Sequence, residues 1–170
     1  MKDQYTVLFL CTANSARSIM AEAIANQLGK GRLRAFSAGS TPSGQVHPMA
    51  MEMLQEIGLP TNGLSSKSWD AFAGADTPPM DFIITLCDRA ADEPCPVWPG
   101  RPITAHWSVP DPALAADSPE QARKAFNRAM QIVQHRISLL LALNLDALDR
   151  LAIAMQLSQI ARSPLDQSQQ

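Results

Sequence analysis

The residues best suited to chemistry in this sequence stand in one loop near the N-terminus. Cys11 follows an apolar run that predicts a buried strand, and Arg17 comes six positions later, where a helical pattern begins. A loop at a helix N-terminus presents backbone N–H groups to an anion, and a guanidinium adds a planar set of donors. We therefore predict a nucleophilic Cys11 beneath an oxyanion site formed by Thr12, Ala13, Asn14, Ser15, Ala16, Arg17 and Ser18.

The surroundings of Cys11 favour a reactive thiolate over an inert thiol. Backbone amides and a positive charge stabilise an anionic sulfur, and the hydroxyl of Ser18 is placed to donate to it. A second pair with the same spacing, Cys95 and Arg101, has two prolines in its loop and Pro102 after the arginine. Because proline offers no N–H to an anion, we expect only the first pair to form a site.

Strand patterns alternate with helix patterns along the chain, which predicts βαβ units and a parallel sheet. The predicted strands cover residues 5–10, 33–37, 82–86 and 103–107, and the predicted helices cover residues 17–28, 48–57, 69–72, 119–143 and 145–162. Cys11, Ser37 and Cys87 fall at the carboxyl ends of separate strands, and Asp111 follows the fourth. Sites in such sheets form at these ends, so we expect these side chains to converge at one edge.

Further expectations concern residues 87–101, Asp111, His47 and the apolar faces of three helices. Residues 87–101 are expected to be irregular, and the prolines beside Asp111 should aim its carboxylate, unless it only caps a turn. His47 is expected to be an ordinary surface residue. The spacing predicts apolar faces in three helices: Met20, Ala23, Ile24 and Leu28; Met49, Met53 and Ile57; and Leu145, Leu148, Leu151, Ala152, Met155 and Ile160.

Size and composition exclude several classes of protein. A chain of 170 residues is most simply one domain, and a net charge of −2 argues against a nucleic-acid surface. Its longest apolar stretch, residues 137–145, is too short to span a bilayer, and the N-terminal apolar run is too short for an export signal. We expect a cytoplasmic protein whose three cysteines are reactive thiols rather than a disulfide framework. No metal or other cofactor is expected.

Cys11 to Ser18, together with Met20-Ala21-Glu22, resembles the phosphate-binding loop of the low-molecular-weight protein tyrosine phosphatase fold. The resemblance covers residues 5–143 and implies an α/β three-layer sandwich with a four-stranded parallel sheet. Residues 1–143 would form this domain. Residues 144–162 would add a C-terminal helix that packs on the domain or at the interface of a homodimer, and residues 163–170 would form a disordered tail.

Within that fold the chain is similar to the arsenate reductases coupled to thioredoxin. The similarity implies that Cys11 attacks arsenate, that Cys87 resolves the adduct, and that Cys95 then forms a disulfide with Cys87. Asp111 would act as the acid and Arg17 would bind the oxyanion. Thioredoxin would reduce the disulfide; with glutathione and glutaredoxin as the donor, Cys95 would be dispensable. Ala113 also fits the reductases, because phosphatases of this fold usually have an aromatic residue after Asp-Pro.

Two other functions remain open at this stage. A low-molecular-weight protein tyrosine phosphatase would act through a phosphocysteine on Cys11 and would need no second cysteine. A non-catalytic regulator would bind the oxyanion without turnover. The sequence also departs from the reductases, with seven residues between Cys87 and Cys95 and Ala16 where many members have cysteine. Some members bind potassium at positions that match Asn14, Glu22 and Ser37, but the completing carboxylate is replaced around Lys67, so no potassium is expected.

Overall fold

A four-stranded parallel sheet forms the centre of the protein. The computed structural model describes residues 2–94, 96–114 and 117–165. Its strands are β1 (Tyr5–Cys11), β2 (Leu33–Gly39), β3 (Phe82–Thr85) and β4 (Ile103–His106). They lie in the order β2-β1-β3-β4, and every pairing is parallel. The expected α/β fold is confirmed, and the carboxyl ends of all four strands meet at one edge of the sheet.

Helices connect and cover these strands. The α-helices are α1 (Arg17–Leu28), α2 (Pro48–Glu56), α3 (Asp88–Asp92), α4 (Pro119–Leu141) and α5 (Arg150–Arg162). Short 3-10 turns cover Trp69–Phe72, Pro112–Leu114 and Leu145–Ala147. The starts of the two C-terminal helices are capped, since Ser118 accepts from the N–H of Gln121 and Asp149 accepts from that of Ala152. No helix within the described ranges is long and apolar enough to cross a membrane.

The two faces of the sheet carry different apolar clusters. Alternate residues of β1 point to opposite faces, so Val7 and Phe9 join one cluster while Leu8 and Leu10 join the other. The larger cluster packs the sheet against side chains of α1, α2, α4 and α5. The smaller one places Trp69 and other residues against the opposite face. These layers cover both faces of the sheet, and the site lies at the carboxyl ends of its strands.

The outer edge of β2 is closed by groups from outside the sheet. The side-chain amide of Asn26 donates to the carbonyl of Ala35 at 3.0 Å and accepts from its N–H at 2.9 Å. Four residues further along, the N–H of Gly39 donates to the carbonyl of Lys67 at 2.9 Å. The outward N–H and C=O of Ala35 and the N–H of Gly39 therefore find their hydrogen-bond partners within the chain.

All three predicted apolar faces need correction. The C-terminal segment is a 3-10 turn followed by α5, and the buried residues of α5 are Ile153, Leu157 and Ile160. Leu151 is 71% exposed and Met155 is 56% exposed, because the helix starts after Asp149 and turns these side chains to solvent. Ile57 and Leu28 are also exposed, since each lies at or beyond the last turn of its helix.

The prediction for His47 is wrong, and the prediction for residues 87–101 is wrong over residues 88–92. His47 is half-buried, and its side chain caps α2 by accepting from the N–H of Met49 at 3.1 Å. The centroid of its ring lies 4.8 Å from the ring centroid of Phe126. Residues 87–101 are not wholly irregular because α3 forms directly after Cys87. Cys95 lies outside the described residues, as do residues 166–170 of the disordered tail predicted over residues 163–170.

Candidate active site

The loop between β1 and α1 is held with its carbonyl groups outward. The carbonyls of Thr12, Ala13 and Ser15 accept from backbone N–H groups of residues 41, 43 and 47, at 2.8 to 3.0 Å. Because C=O and the following N–H of a trans peptide point in opposite directions, the N–H groups that follow these carbonyls face the inside of the loop. The loop therefore has the concave, amide-lined form that an oxyanion requires.

Asn14 fixes the shape of this loop. It adopts a left-handed backbone conformation with φ of 48°, which asparagine tolerates better than most residues. Its buried side chain accepts from the N–H of Lys67 at 2.9 Å and donates to Ser18 Oγ at 2.7 Å. The end of β2 also approaches closely: a Cβ on Gly39 would lie 2.5 Å from the carbonyl oxygen of Thr12. Glycine is thus required at the position beside the loop.

Cys11 lies at the bottom of the loop with its sulfur beside a hydroxyl. The residue is 3% exposed, and Sγ is 2.9 Å from Ser18 Oγ. The Ser18 oxygen already accepts from the Asn14 amide, so its own hydrogen is available for the sulfur. A hydrogen bond of this kind stabilises a thiolate. The contact between Ser18 and Cys11 predicted from the sequence is confirmed.

Arg17 and Asp111 meet at the mouth of the loop. Arg17 Nη2 lies 3.5 Å from Asp111 Oδ2, and Nη1 donates to the carbonyl of Val109 at 3.1 Å. Both side chains are partly exposed, so they can contact a bound ligand. Asp111 Oδ1 also accepts from the N–H of Ala113 at 3.0 Å. The carboxylate therefore both caps the turn after it and faces the arginine of the oxyanion loop.

Cys87 packs against Cys11. The two free thiols form a small buried cluster with Ala90, and Cys87 is 5% exposed. Its sulfur lies 3.3 Å from Thr12 Oγ1 and accepts from the N–H of Ala90 at 3.4 Å. One side chain of the oxyanion loop thus contacts the second cysteine directly. Cys11 and Cys87 thus meet at the sheet edge, as their places at strand ends predicted. Ser37, which was expected to join them, donates to Glu22 instead.

A polar chain that the sequence reasoning missed lies beside Cys87. His106 Nε2 donates to Asp88 Oδ1 at 2.8 Å, and Nδ1 of the same ring lies 2.7 Å from Thr85 Oγ1. Hydrogen bonds from His106 and Ser108 hold the pKa of Asp88 below its usual value. The sequence could have indicated this contact only through the positions of the two residues. Asp88 follows Cys87, and His106 is the last residue of the neighbouring strand β4. The contact ties the start of α3 to the sheet.

A partly buried ion pair involves Lys67, whose backbone N–H also donates to Asn14. Ser37 donates to Glu22 Oε1 at 3.0 Å, and the Lys67 ammonium is 3.8 Å from the same oxygen. Burial raises the pKa of Glu22 and lowers the pKa of Lys67. Within the described residues, no group of three or more histidine, cysteine or acidic side chains is gathered as a metal site. The cation beside Glu22 is supplied by the chain itself.

The parallel sheet and its cysteine–arginine loop define a known class of protein. The family model for low molecular weight phosphotyrosine protein phosphatases matches residues 6–151. The chain belongs to this family.

Within the family, the chain is similar to arsenate reductases. It is 33% identical over 131 residues to an arsenate reductase of Bacillus subtilis (strain 168), covering 77% of this chain and 91% of that protein. It is 37% identical over 106 residues to a glutaredoxin arsenate reductase of Synechocystis sp. (strain ATCC 27184 / PCC 6803 / Kazusa), covering 62% and 77%. The structure also matches a solved arsenate reductase in the phosphate binding state, with a TM-score of 0.57, 32% identity, and coverage of 79% of this chain and 97% of the other.

Proposed function

We propose that this protein is an arsenate reductase that converts arsenate to arsenite. The observation that carries the proposal is the buried second thiol of Cys87, packed against Cys11 beside the oxyanion loop. A phosphatase of this fold needs only one cysteine, whereas reduction of arsenate needs a second thiol to complete the transfer of two electrons. The similarity to curated arsenate reductases supports the same conclusion.

The first step forms an adduct on Cys11. Arsenate binds to the inward amides of the loop and to Arg17, and the Cys11 thiolate attacks arsenic. An arsenic–oxygen bond breaks as the sulfur–arsenic bond forms. Asp111, which faces Arg17 at 3.5 Å, supplies the proton that lets the departing oxygen leave as water. Ser18 stabilises the thiolate before the attack.

The second step reduces arsenic. The Cys87 thiolate attacks Cys11 Sγ, the sulfur–arsenic bond breaks, and its electron pair stays on arsenic, which leaves as arsenite. The two thiols are oxidised to a Cys11–Cys87 disulfide. A hydrogen bond from Thr12 and the N–H of Ala90 favour the attacking thiolate. Because Cys11 and Cys87 pack against each other, the Cys87 sulfur has only a short distance to move for this attack.

The third step returns Cys11 to its thiolate form. Cys95 attacks Cys87 Sγ, Cys11 leaves, and a Cys87–Cys95 disulfide remains for an external dithiol to reduce. Cys95 lies outside the described residues, so this step depends on the resemblance to three-cysteine reductases. Thioredoxin is the donor we favour; glutathione with glutaredoxin is the second candidate, and one relative is a glutaredoxin arsenate reductase. We assign this activity to arsenic detoxification in the cytoplasm, where such donors keep thiols reduced.

One comparison tests the proposal. Wild type and Cys87→Ser are each assayed for arsenate-dependent consumption of reducing equivalents with a thiol donor system, and for hydrolysis of an aryl phosphate. We expect arsenate turnover by wild type that both Cys11→Ser and Cys87→Ser abolish. Aryl phosphate turnover that survives Cys87→Ser, without arsenate-dependent consumption by wild type, would show that the protein is a phosphatase instead. Cys95→Ser separates the donors, since only the thioredoxin-coupled reaction should need this cysteine.

A further inference from the structure

Helix α5 is joined to the segment that carries Asp111 through a buried tryptophan. Trp107 follows β4 directly, and its indole N–H donates to the carbonyl of Leu157 at 3.0 Å. Both residues are almost fully buried, and they belong to the same apolar cluster. A buried indole N–H needs such a partner, so the tryptophan ring and α5 determine each other's position.

A second connection passes through Arg136 of α4. Its Nη1 donates to the carbonyl of Ser108 at 2.8 Å, and its Nη2 donates to the carbonyl of Ala161 at 3.3 Å. Ala161 belongs to the last turn of α5, where unpaired carbonyls give the helix a partial negative charge. Burial lowers the pKa of Arg136. One guanidinium therefore links α5 to the residue after Trp107.

The segment from residue 107 to residue 111 is held at successive positions. The N–H groups of Trp107 and Val109 donate to the sheet-side carbonyls of Thr85 and Leu86, at 2.8 and 2.9 Å. Arg17 donates to the carbonyl of Val109, and its other nitrogen faces Asp111. Between Trp107 and Val109, the carbonyl of Ser108 accepts from Arg136. The position of Asp111 thus depends on the sheet, on Arg17 and on the connection to α5.

We propose that α5 is a positioning element for Asp111 and that Arg136 and Trp107 are the positioning residues through which it acts. The proposal rests on the function proposed above, in which Asp111 is the acid. Among the described residues, the side chains of Arg136 and Trp107 form no hydrogen bond with the oxyanion loop. Their loss should therefore change the placement of the carboxylate and leave substrate binding by the loop unchanged. The expected signature is a lower kcat with an unchanged KM.

The test is a double-mutant cycle on the full chain with arsenate as substrate. Arg136→Met keeps the length of the side chain and removes its donors, and we expect kcat to fall about tenfold with KM within about twofold. Asp111→Asn should lower kcat further, and the double variant should be no slower than Asp111→Asn alone. Arg136→Lys should recover part of the loss. Arg128→Met, which removes an exposed arginine from the same helix, should match wild type.

A second variant guards against a general loss of folding. Trp107→Phe removes the indole N–H but keeps an aromatic ring, and we expect a smaller fall in kcat that is again absent in the Asp111→Asn background. Losses that add to that of Asp111→Asn, or an unchanged kcat in both Arg136→Met and Trp107→Phe, would overturn the proposal. If wild type fails to reduce arsenate, the proposed function is wrong. The role of α5 can then still be tested by the same double-mutant cycle with phenyl phosphate as substrate, because its phenol leaving group also takes a proton from the acid.

Discussion

The side-chain amide of Asn14 donates to Ser18 Oγ at 2.7 Å, and this contact determines which way the Ser18 hydroxyl points. The orientation of the amide is itself fixed, because its oxygen accepts from the N–H of Lys67. With its lone pair engaged by Asn14, Ser18 directs its hydrogen to Cys11 Sγ at 2.9 Å. The reactivity of the nucleophile thus depends on a chain of donors that begins outside the loop.

Removing the Ser18 hydroxyl should make Cys11 less reactive. A hydrogen bond to a charged group contributes about 1.5–3 kcal/mol, so Ser18→Ala should slow alkylation of Cys11 at pH 7 by about tenfold or more. The rate of iodoacetamide labelling, read by mass spectrometry of the Cys11 peptide, measures this. Ser138→Ala removes an exposed hydroxyl on α4 and should label at the wild-type rate. Equal labelling of the two variants would mean that Ser18 does not stabilise the thiolate.

The Thr12 hydroxyl should act on the second thiol. Thr12→Val keeps the shape of the side chain and removes the hydrogen bond to Cys87 Sγ. We expect formation of the Cys11–Cys87 disulfide to slow by about three- to tenfold, as expected for loss of one hydrogen bond of about 1 kcal/mol. Acid-quenched single turnovers with arsenate measure this step. Thr104→Val, on the exposed side of β4, is the matched control, and disulfide formation at the same rate in both variants would contradict the assignment.

A methyl group at Gly39 should distort the oxyanion loop. Its Cβ would lie 2.5 Å from the carbonyl oxygen of Thr12 and 3.0 Å from the N of Asn14, and both are backbone atoms that cannot turn aside. Gly39→Ala should therefore lower the free energy of unfolding by about 1–3 kcal/mol and weaken binding of inorganic phosphate. Urea denaturation and calorimetry measure the two effects.

Gly74 provides the control for that substitution. A Cβ there would meet nothing within 4 Å, and its φ lies outside the left-handed region. Gly74→Ala should leave phosphate binding unchanged and should alter the free energy of unfolding by less than about 1 kcal/mol. If the two alanine variants proved equally stable, the close approach of β2 to the loop would not constrain residue 39.

The partly buried pair of Glu22 and Lys67 predicts a pH dependence of stability. Burial raises the pKa of Glu22 from its ordinary value of 4.5, so ionisation costs more in the folded protein than in the unfolded chain. The contribution of Glu22 to stability is therefore greatest below pH 4.5 and is lost as pH rises through the native pKa. The difference in the free energy of unfolding between wild type and Glu22→Gln should fall over that window and level off above it.

Urea denaturation at intervals between about pH 4 and 8 measures this difference. The quantity to compare is the change of this difference with pH, not its size. Glu22→Gln also leaves the Lys67 ammonium without its carboxylate at every pH, which shifts the difference as a whole. Glu120→Gln removes one exposed negative charge and controls for the change in net charge. A difference that rises with pH would mean that the pairing with Lys67 outweighs the burial of Glu22.

The sequence predicted the features that depend on neighbouring residues. The strand before Cys11, the loop after it and the helix from Arg17 follow from local pattern, and the structure has α1 at the predicted bounds. The meeting of Cys11 with Cys87 also followed, because parallel strands present their carboxyl ends together. These predictions required only the periodicity of the sequence and the rule that parallel strands place their carboxyl ends at one edge.

Other features depend on where side chains point in three dimensions. In α5, apolar residues occur on several sides, so the buried face at Ile153 and Leu157 could be chosen only once Asp149 was known to cap the helix. The contact of His106 with Asp88 depends on the register of β3 with β4. Lys67 reaches Glu22 from a loop far away in sequence, and no pattern in either segment predicts that pairing.

The closed outer edge of β2 affects how the protein behaves at high concentration. Edge strands with free N–H and C=O groups invite strands from other molecules, and the resulting pairing leads to aggregation. On β2, Asn26 and Lys67 already occupy groups that an incoming strand would need. We therefore expect Asn26, which is remote from the chemistry, to disfavour intermolecular β-sheet growth from this edge.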